Sequence, residues 1–334
     1  MVKHRRTLWI LSVIAILSIV SYLSFWMLTT TYELFPQDPA IRDPMRQAIM
    51  NILQRRGYQV AAMMIAAVLI ATTTLAFQTL TNNRILTPGL MGFDAIFVLS
   101  QTFIVFALHE QSALYQNPYL NFLFAASLMI LITLIVYRLV LRKNKNHIVF
   151  LLLFGIIIST LSRNLASFLQ TVMDPNQFYS VIIRTEVTIT NMNTNIILLA
   201  LPTLIVIIGL FVREFKYLDV MALGETHAVG LGINYQKKMN TYLIYIAIAM
   251  SIATALIGPI TFLGLLAVNA AREMLKTFKH LPLMIASSLI AIVAIVLGQT
   301  IIIELGYQTT VTVLISFVGG LYMIYLIIRE NHKK

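Results

Sequence analysis

Long apolar runs alternate with short polar stretches along the whole chain. The runs are rich in Leu, Ile and Ala and show no period-two alternation, which favours helices over barrel strands. A bilayer core about 30 Å thick needs about 20 apolar residues per helix. We therefore predict an all-α polytopic membrane protein with about ten transmembrane helices. The predicted spans are Leu8–Leu28, Tyr58–Leu80, Leu90–Leu108, Tyr119–Leu141, His147–Gln170, Asn195–Val212, Met239–Ile257, Ile260–Ala271, Leu281–Ile303 and Thr309–Ile328.

Two of the predicted spans are followed by helix-breaking residues. The eighth span is too short to cross a bilayer unless it is tilted or broken, which fits a helix buried inside protein. One helix break lies between the seventh span and this short eighth span, and a similar break follows the second span. The residues of the two breaks are Pro88, Gly89, Gly92, Gly258, Pro259 and Gly264.

The matching breaks suggest that the chain contains two related units. Spans two to five would form one unit, spans seven to ten the other, and the sixth span would connect them. Because five spans separate corresponding positions, the two units would have opposite orientations. Such an inverted four-helix repeat, with broken helices at matching points, is typical of transporters.

Composition agrees with a lipid environment for most of the chain. Hydrophobic residues make up 59% of it and charged residues 11%, with a mean hydropathy of +0.84. A soluble domain has about 25% charged residues. The net charge of +11 could indicate nucleic acid as a partner. However, the basic residues lie in short loops between spans, as the positive-inside rule describes, so we expect a lipid membrane and no nucleic acid.

The distribution of Lys and Arg predicts the orientation of the chain. With both termini in the cytoplasm, all but six of the 24 basic residues lie on the cytoplasmic side. We read the first apolar run as a retained span, because it is long for a signal peptide and no small-residue cleavage site follows it. Residues 1–334 would then form a single transmembrane domain. The six exceptions are Arg42, Arg46, Arg55, Arg56, Arg163 and Arg184.

A polar segment, residues 213–238, separates the sixth and seventh spans. Its centre, Asp219–Tyr235, reads DVMALGETHAVGLGINY, is amphipathic and contains three glycines. The predicted orientation places it in the cytoplasm. A structured polar segment between two groups of spans predicts that a partner docks on it.

The loop Thr29–Arg56 is predicted to lie outside the membrane and is unusually basic. Its second half could form a short helix from Pro44 to Gly57. Its arginines fit two interpretations, a solvated loop or a basic rim for an acidic external partner.

The chain lacks the groups that most enzymes and self-powered carriers use. There is no cysteine, no Walker A pattern and no HExxH motif. All six histidines lie in tails, loops or loop edges, so we expect solvated side chains and no metal site. Only Asp94 and Glu304 place a carboxylate near a span. A carrier driven by protons or sodium usually needs buried carboxylates.

Arg163 is the one basic residue well inside a predicted span. Either its side chain snorkels to the outer interface, or it faces a pathway and meets an anionic substrate.

Three motifs resemble those of the permeases that import iron–siderophore and vitamin B12 complexes, the FecCD-type family of ABC importers. In this sequence they read MALGETHAVGLG (Met221–Gly232), GPITFLGLLAVNAAR (Gly258–Arg272) and QTLTNNRILTPGLMG (Gln78–Gly92). They occur in the family's order and extend through nearly all of the chain. Val268–Asn269 stands where the family has Pro-His, and Arg84 replaces a proline. These departures suggest a divergent branch that serves catecholate-type or related siderophores.

The resemblance implies the function and the partners. It implies a permease subunit without enzymatic activity in the bacterial cell membrane, paired with a second permease, identical or homologous. It further implies two ATP-binding subunits that hold ATP and magnesium, and an extracytoplasmic siderophore-binding protein. Arg55 and Arg56 would dock the binding protein. The residues that would couple the permease to the ATPase are Gly224, Glu225, Ala228, Leu231 and Gly232.

Two other functions remain as alternatives at the level of sequence. One is an ion- or proton-coupled carrier of a small anionic or metal-chelate solute, which would need no partner ATPase. The other is an integral membrane enzyme, which the absence of a polar catalytic cluster argues against.

Overall fold

The computed structural model describes residues 2–29, 39–143, 148–185, 189, 196–306 and 309–331 of the 334 in the chain. Within these ranges all long regular elements are helices, which confirms the all-α prediction. The helices are α1 (Val2–Thr29), α2 (Pro39–Leu80), α3 (Phe93–Phe103), α4 (Ala113–Gln116), α5 (Pro118–Lys143), α6 (Ile148–Val172), α7 (Pro175–Thr185), α8 (Ile196–Met221), α9 (Glu225–Gly230), α10 (Tyr235–Ile257), α11 (Leu263–Leu275), α12 (His280–Glu304) and α13 (Val311–Asn331).

Every predicted span lies on one of these helices. In the described part of the chain, seven helices are long and apolar enough to cross a membrane, namely α1, α2, α5, α6, α8, α10 and α12. Shorter apolar helices are α13 and α3, the latter extended by a π-helical turn, Ile104–Leu108. With α11 these account for the ten predicted spans, so the protein is multi-pass. The predicted starts of the fifth and sixth spans, His147 and Asn195, fall outside the described residues.

Two helices form the centre of the bundle. The most apolar stretch of α2 is 83% buried and that of α10 is 67% buried, against 22% for α1, α6 and α8. Small residues on α2, including Ala62, Ala66 and Ala67, are fully buried and allow neighbouring helices to approach closely. The outer helices therefore leave large apolar surfaces for lipid or for other subunits.

Helix packing reproduces the predicted inverted repeat. The second span (α2) packs against the ninth (α12), and the seventh (α10) packs in the same way against the fourth (α5). Within the units, α3 packs on α6 as α11 packs on α13. Each pair of contacts relates equivalent positions of the two four-helix units.

Two glycines show the same equivalence at atomic detail. A Cβ on Gly155 of α6 would lie 2.9 Å from the Cα of Met91, just before α3. A Cβ on Gly319 of α13 would lie 2.3 Å from the Cβ of Phe262, just before α11. In each four-helix unit, the fourth helix (α6 or α13) thus packs through a glycine against the helix break that precedes the second helix (α3 or α11).

The predicted short helix from Pro44 to Gly57 is wrong in its extent. The structure has one continuous helix, α2, from Pro39 to Leu80. Gly57 lies within it, because an isolated glycine costs a helix only about 1 kcal/mol and does not by itself end one. Residues 30–38 of the predicted outer loop lie outside the described part of the chain. We call the end of the bundle near Arg56 the outer end and the opposite end the inner end, following the predicted orientation.

Candidate functional site

The polar segment forms a compact turn between α8 and α10. Gly224 adopts φ 93° and ψ 163°, a conformation open to glycine and strained for other residues, and its carbonyl accepts the Ala228 N–H at 3.0 Å. Gly232, with φ 84°, lies two residues after the short helix α9 and turns the chain there. Asn234 then caps α10, accepting the Lys237 N–H on its side chain at 3.0 Å. Two glycines and one cap therefore fix the path of this segment.

The segment has a buried face and an exposed face. Ala228 is fully buried and holds α9 against the bundle. Leu223, Val229 and Leu231 are 58%, 54% and 64% exposed. Three exposed large apolar side chains within nine residues of a polar segment form a surface that a protein partner can cover.

An open cleft of about 510 Å³ lies beside these residues. Its lining residues are Glu225, Val229, Gly232, Ile233, Asn234, Tyr235 and Gln236. The structure thus brings together Glu225 and Gly232, two of the residues predicted to couple the chain to a partner. Leu231 is exposed nearby, whereas Ala228 faces inward. Leu223 and Val229 lie within the motif but were not among the predicted coupling residues, although their apolar character in a polar segment was a usable signal.

A cluster of three side chains ties the polar segment to the bundle. Asp219 Oδ1 lies 2.7 Å from both the backbone nitrogen and Nδ1 of His280, the first residue of α12. Nε2 of the same ring lies 2.7 Å from Oγ1 of Thr79, in the last turn of α2. We call Thr79, Asp219 and His280 the inner cluster. It joins the ends of α2, α8 and α12.

His280 was expected to be a solvated loop histidine, and this is wrong. Its side chain is 4% exposed, because the ring fills the space between α2 and α8. A histidine directly before a predicted span reads as a loop residue. Its two partners, 61 and 201 residues away, are not visible from local pattern.

The inner cluster also sets the charge state of Asp219, which lies beyond the predicted end of the sixth span at Val212. Partial burial disfavours the carboxylate, but the hydrogen bonds from His280 outweigh it and hold the pKa of Asp219 below its usual range. The group is therefore an anion at neutral pH and only accepts hydrogen bonds. Nδ1 of His280 must then carry the proton in this contact.

The two predicted helix breaks meet each other inside the bundle. Gly92 has φ 91° and caps α3, and Gly258 has φ 84° and ends α10. A Cβ on Gly89 in the first break would lie 3.6 Å from Thr261 Cγ2 in the second. Pro88 begins a 3₁₀ turn, Pro88–Met91. The two breaks therefore lie beside each other inside the bundle.

Gly264 marks the closest approach at these breaks. A Cβ there would lie 2.1 Å from Thr74 Oγ1, so α11 packs directly on α2. Pro259 lies in the irregular stretch between α10 and α11. The short eighth span is thus surrounded by protein, as its length predicts.

A second polar cluster lies at the outer end. The guanidinium of Arg56 lies 3.3 Å from Glu304 Oε1 and donates to the carbonyl of Tyr22. The Tyr22 hydroxyl donates to Gln59 Oε1. We call Tyr22, Arg56, Gln59 and Glu304 the outer cluster. It joins α1, α2 and α12, while Arg55 is exposed beside it.

Arg163 lies on the exposed side of α6, where Asn164 and Ser167 are exposed as well. A Cβ on Gly92 would lie 3.3 Å from the backbone nitrogen of Ser159 on α6, so this part of α6 lies close to the first break. Both interpretations of Arg163, snorkelling and a position on a pathway, therefore stay predictions.

Within the described residues no group of three or more His, Asp or Glu side chains could hold a metal ion. Among the described residues, the polar features include the exposed surface of the polar segment and two clusters that join helices. The fold and these features define a multi-pass transport protein whose polar segment lies between two inverted units.

Comparison with known proteins gives the family. Residues 7–329 match the FecCD transport family, and the chain belongs to it. It is 43% identical over 281 residues to the petrobactin import system permease YclO of Bacillus subtilis, covering 84% of this chain and 89% of that protein. It is 29% identical to the petrobactin permease FatC of Bacillus anthracis, covering 98% and 91% of the two chains.

A solved structure confirms the fold at lower sequence similarity. The inward-facing structure of a metal-chelate type ABC transporter superposes with a TM-score of 0.78. It is 17% identical and covers 97% of this chain and 99% of its own. The likeness extends over the whole permease.

Proposed function

We propose that the chain is the permease subunit of an ATP-driven importer for an iron–siderophore complex of the petrobactin kind. The observation that carries this proposal is the 43% identity, across 84% of the chain, to a petrobactin import permease. A second petrobactin permease matches over nearly the full length. Relatives that import other iron complexes, such as the hydroxamate permease FhuG of Bacillus subtilis, are less similar, at 27% identity.

The polar segment is the proposed contact with the ATPase, and the complete importer would contain two ATP-binding subunits. Its exposed leucines and Val229 supply apolar contact, and the cleft beside Glu225 would receive a side chain of the partner. Gly224 and Gly232 hold the turns, and Ala228 fixes α9 to the bundle. ATP and magnesium would be bound by those subunits and not by this chain.

At the outer end, the proposed partner is a siderophore-binding protein with acidic docking residues. Arg55 is exposed and suited to such a contact. Arg56 is 13% exposed and bound to Glu304, so it would act mainly by shaping the outer end. The termini would lie in the cytoplasm of a bacterial cell.

The substrate would move by alternating access along the interface with a second permease. Arg163 and its polar neighbours on α6 would line that route, since a charged side chain is costly against lipid. The breaks at Gly92 and Gly258 would let α3 and α11 adjust around it.

Growth under iron limitation tests this function. A deletion strain supplied with single siderophores should fail to grow on ferric petrobactin and recover with the cloned chain. Affinity purification of the chain should recover an ATP-binding subunit. If growth on ferric petrobactin does not depend on the chain, the proposed substrate is wrong. If uptake is recovered without any ATPase, the assignment to ATP-driven importers is wrong.

A further inference from the structure

Helices α2 and α12 lie antiparallel and are joined by polar contacts at both ends. At the outer end Arg56 pairs with Glu304, the last residue of α12. At the inner end Thr79 contacts His280, the first residue of α12. At 1.5 Å per residue, the two contacts are about 35 Å apart along each helix, close to the full thickness of a bilayer.

Between these ends the two helices pack against each other. Ala66 and Ala71 on α2 and Ala286 and Ala291 on α12 are fully buried, which allows close packing of backbones. Packed interiors have low compressibility and shift as units. A helix pair packed along its length and tied at both ends resists sliding and bending.

The inner cluster connects this pair to the docking surface. Asp219 lies five residues before Gly224, on the last turn of α8. Its carboxylate accepts two N–H groups from His280, while the opposite nitrogen of the ring contacts α2. A displacement of the polar segment is therefore passed to α2 and α12 through one side chain.

The contact works in either protonation state of the imidazole. With Nδ1 protonated toward Asp219, a neutral ring accepts from the Thr79 hydroxyl. A doubly protonated ring donates to that hydroxyl, whose proton then bonds the Leu75 carbonyl at 3.0 Å. Either direction of this hydrogen bond therefore links the ring to α2.

We propose that α2 and α12 move as one rigid strut during transport, and that His280 is the positioning residue that attaches the polar segment to it. The strut would carry movement between the ATPase contact at the inner end and the binding-protein contact at the outer end. This inference rests on the proposed function, because it assigns a route to the coupling that the function requires.

Removing the link to α2 tests the attachment. Thr79→Val deletes the hydroxyl that faces His280 and keeps the side-chain shape. Thr81→Val is the matched control, because Thr81 directly follows α2 and its hydroxyl bonds the Phe77 carbonyl of that helix rather than another helix. In the assembled complex in liposomes, transport per ATP hydrolysed should fall about fivefold for Thr79→Val, the factor that corresponds to one hydrogen bond.

Basal ATP hydrolysis and recovery of the assembled complex should stay at the level of the wild-type protein in both variants. Asp219→Asn should lower transport per ATP in the same way. If Thr79→Val and Thr81→Val transport the same amount of substrate per ATP hydrolysed, the proposed attachment of the polar segment to α2 is wrong. A wild-type complex that does not transport at all would instead count against the proposed function.

A cross-link tests the rigidity of the strut. The chain contains no cysteine, so the double variant Arg56→Cys/Glu304→Cys can be joined by a short thiol-reactive linker without background labelling. If α2 and α12 move together, joining them keeps or raises transport relative to the same variant before cross-linking. Loss of transport on cross-linking would show that the helices must slide past each other and would overturn the proposal.

Discussion

The guanidinium of Arg56 lies 3.3 Å from the carboxylate of Glu304, and both side chains are largely buried, at 13% and 11% exposed. The two residues are 248 positions apart in the chain. This ion pair binds the outer part of α2 to the end of α12. An arginine that the sequence pattern offers to an external partner is therefore first a contact within the bundle.

Charge reversal separates the contact within the bundle from the docking of an external partner. Arg56→Glu places two carboxylates together and should destabilise the protein by about 3 kcal/mol, because a mostly buried partner loses its counter-charge. Arg56→Glu combined with Glu304→Arg should recover part of that loss; the contact with the Tyr22 carbonyl stays lost. Thermal unfolding of the detergent-purified protein measures both.

Arg55→Glu is the companion variant for docking. Since Arg55 is exposed, the affinity for the binding protein should fall and its salt dependence weaken, and the melting temperature measures separately what Arg55 contributes to the fold. An affinity for the binding protein that depends neither on this charge nor on the salt concentration would contradict the basic-rim interpretation.

Two glycines of the polar segment give a matched pair of substitutions. Gly224 has φ 93°, whereas Gly230 lies in α9 without positive φ, and neither has an atom within 4 Å of an added Cβ. Gly224→Ala should therefore strain the turn by about 1–3 kcal/mol and weaken ATPase binding, and Gly230→Ala should be tolerated. Co-purification of the ATP-binding subunit reports the difference. Equal recovery with both variants would remove Gly224 from the contact.

Adjacent glycines on α13 test the packing of the repeat. A Cβ on Gly319 would lie 2.3 Å from Phe262 Cβ, whereas one on Gly320 meets no atom within 4 Å. Gly319→Ala should cost about 1–3 kcal/mol through overpacking, and Gly320→Ala should be near neutral. Similar melting temperatures for the two variants would mean that α13 does not pack on the break before α11.

Arg163 tests the route of the substrate. Arg163→Gln keeps a polar side chain and removes the charge, so transport of an anionic chelate should fall about tenfold, the equivalent of about 1.4 kcal/mol. Basal ATP hydrolysis and assembly should be unchanged. Arg163→Lys should keep more activity. Full transport by Arg163→Gln would place this side chain away from the pathway.

The local pattern of the sequence predicted most of the fold and part of the candidate site. Apolar runs placed the spans, and Gly258–Pro259 placed the break, because both follow from backbone and lipid constraints within a few residues. The extent of α2 was missed, since Gly57 is tolerated inside a helix that neighbours support. The single-domain assignment and the coupling roles remain predictions.

The contacts that join distant helices could not be predicted. His280 looked like a loop residue and Glu304 like a span end, and only packing brings them to Asp219 and Arg56. A contact across 61 or 248 residues depends on how helices cross, which no local signal in a single sequence encodes. The two contacts lie at opposite ends of α12, at His280 and at Glu304, and together they join this helix to α2 at both ends.

Reconstituted transport tests the central claim most directly. The permease, its ATP-binding subunits and the siderophore-binding protein would be placed in liposomes and supplied with radioactively labelled ferric petrobactin. We predict that iron accumulates only with hydrolysable ATP on the side of the polar segment and with the binding protein on the other, and that a protonophore leaves uptake unchanged. Uptake without the ATP-binding subunits that a protonophore abolishes would contradict the account and identify a proton-coupled carrier.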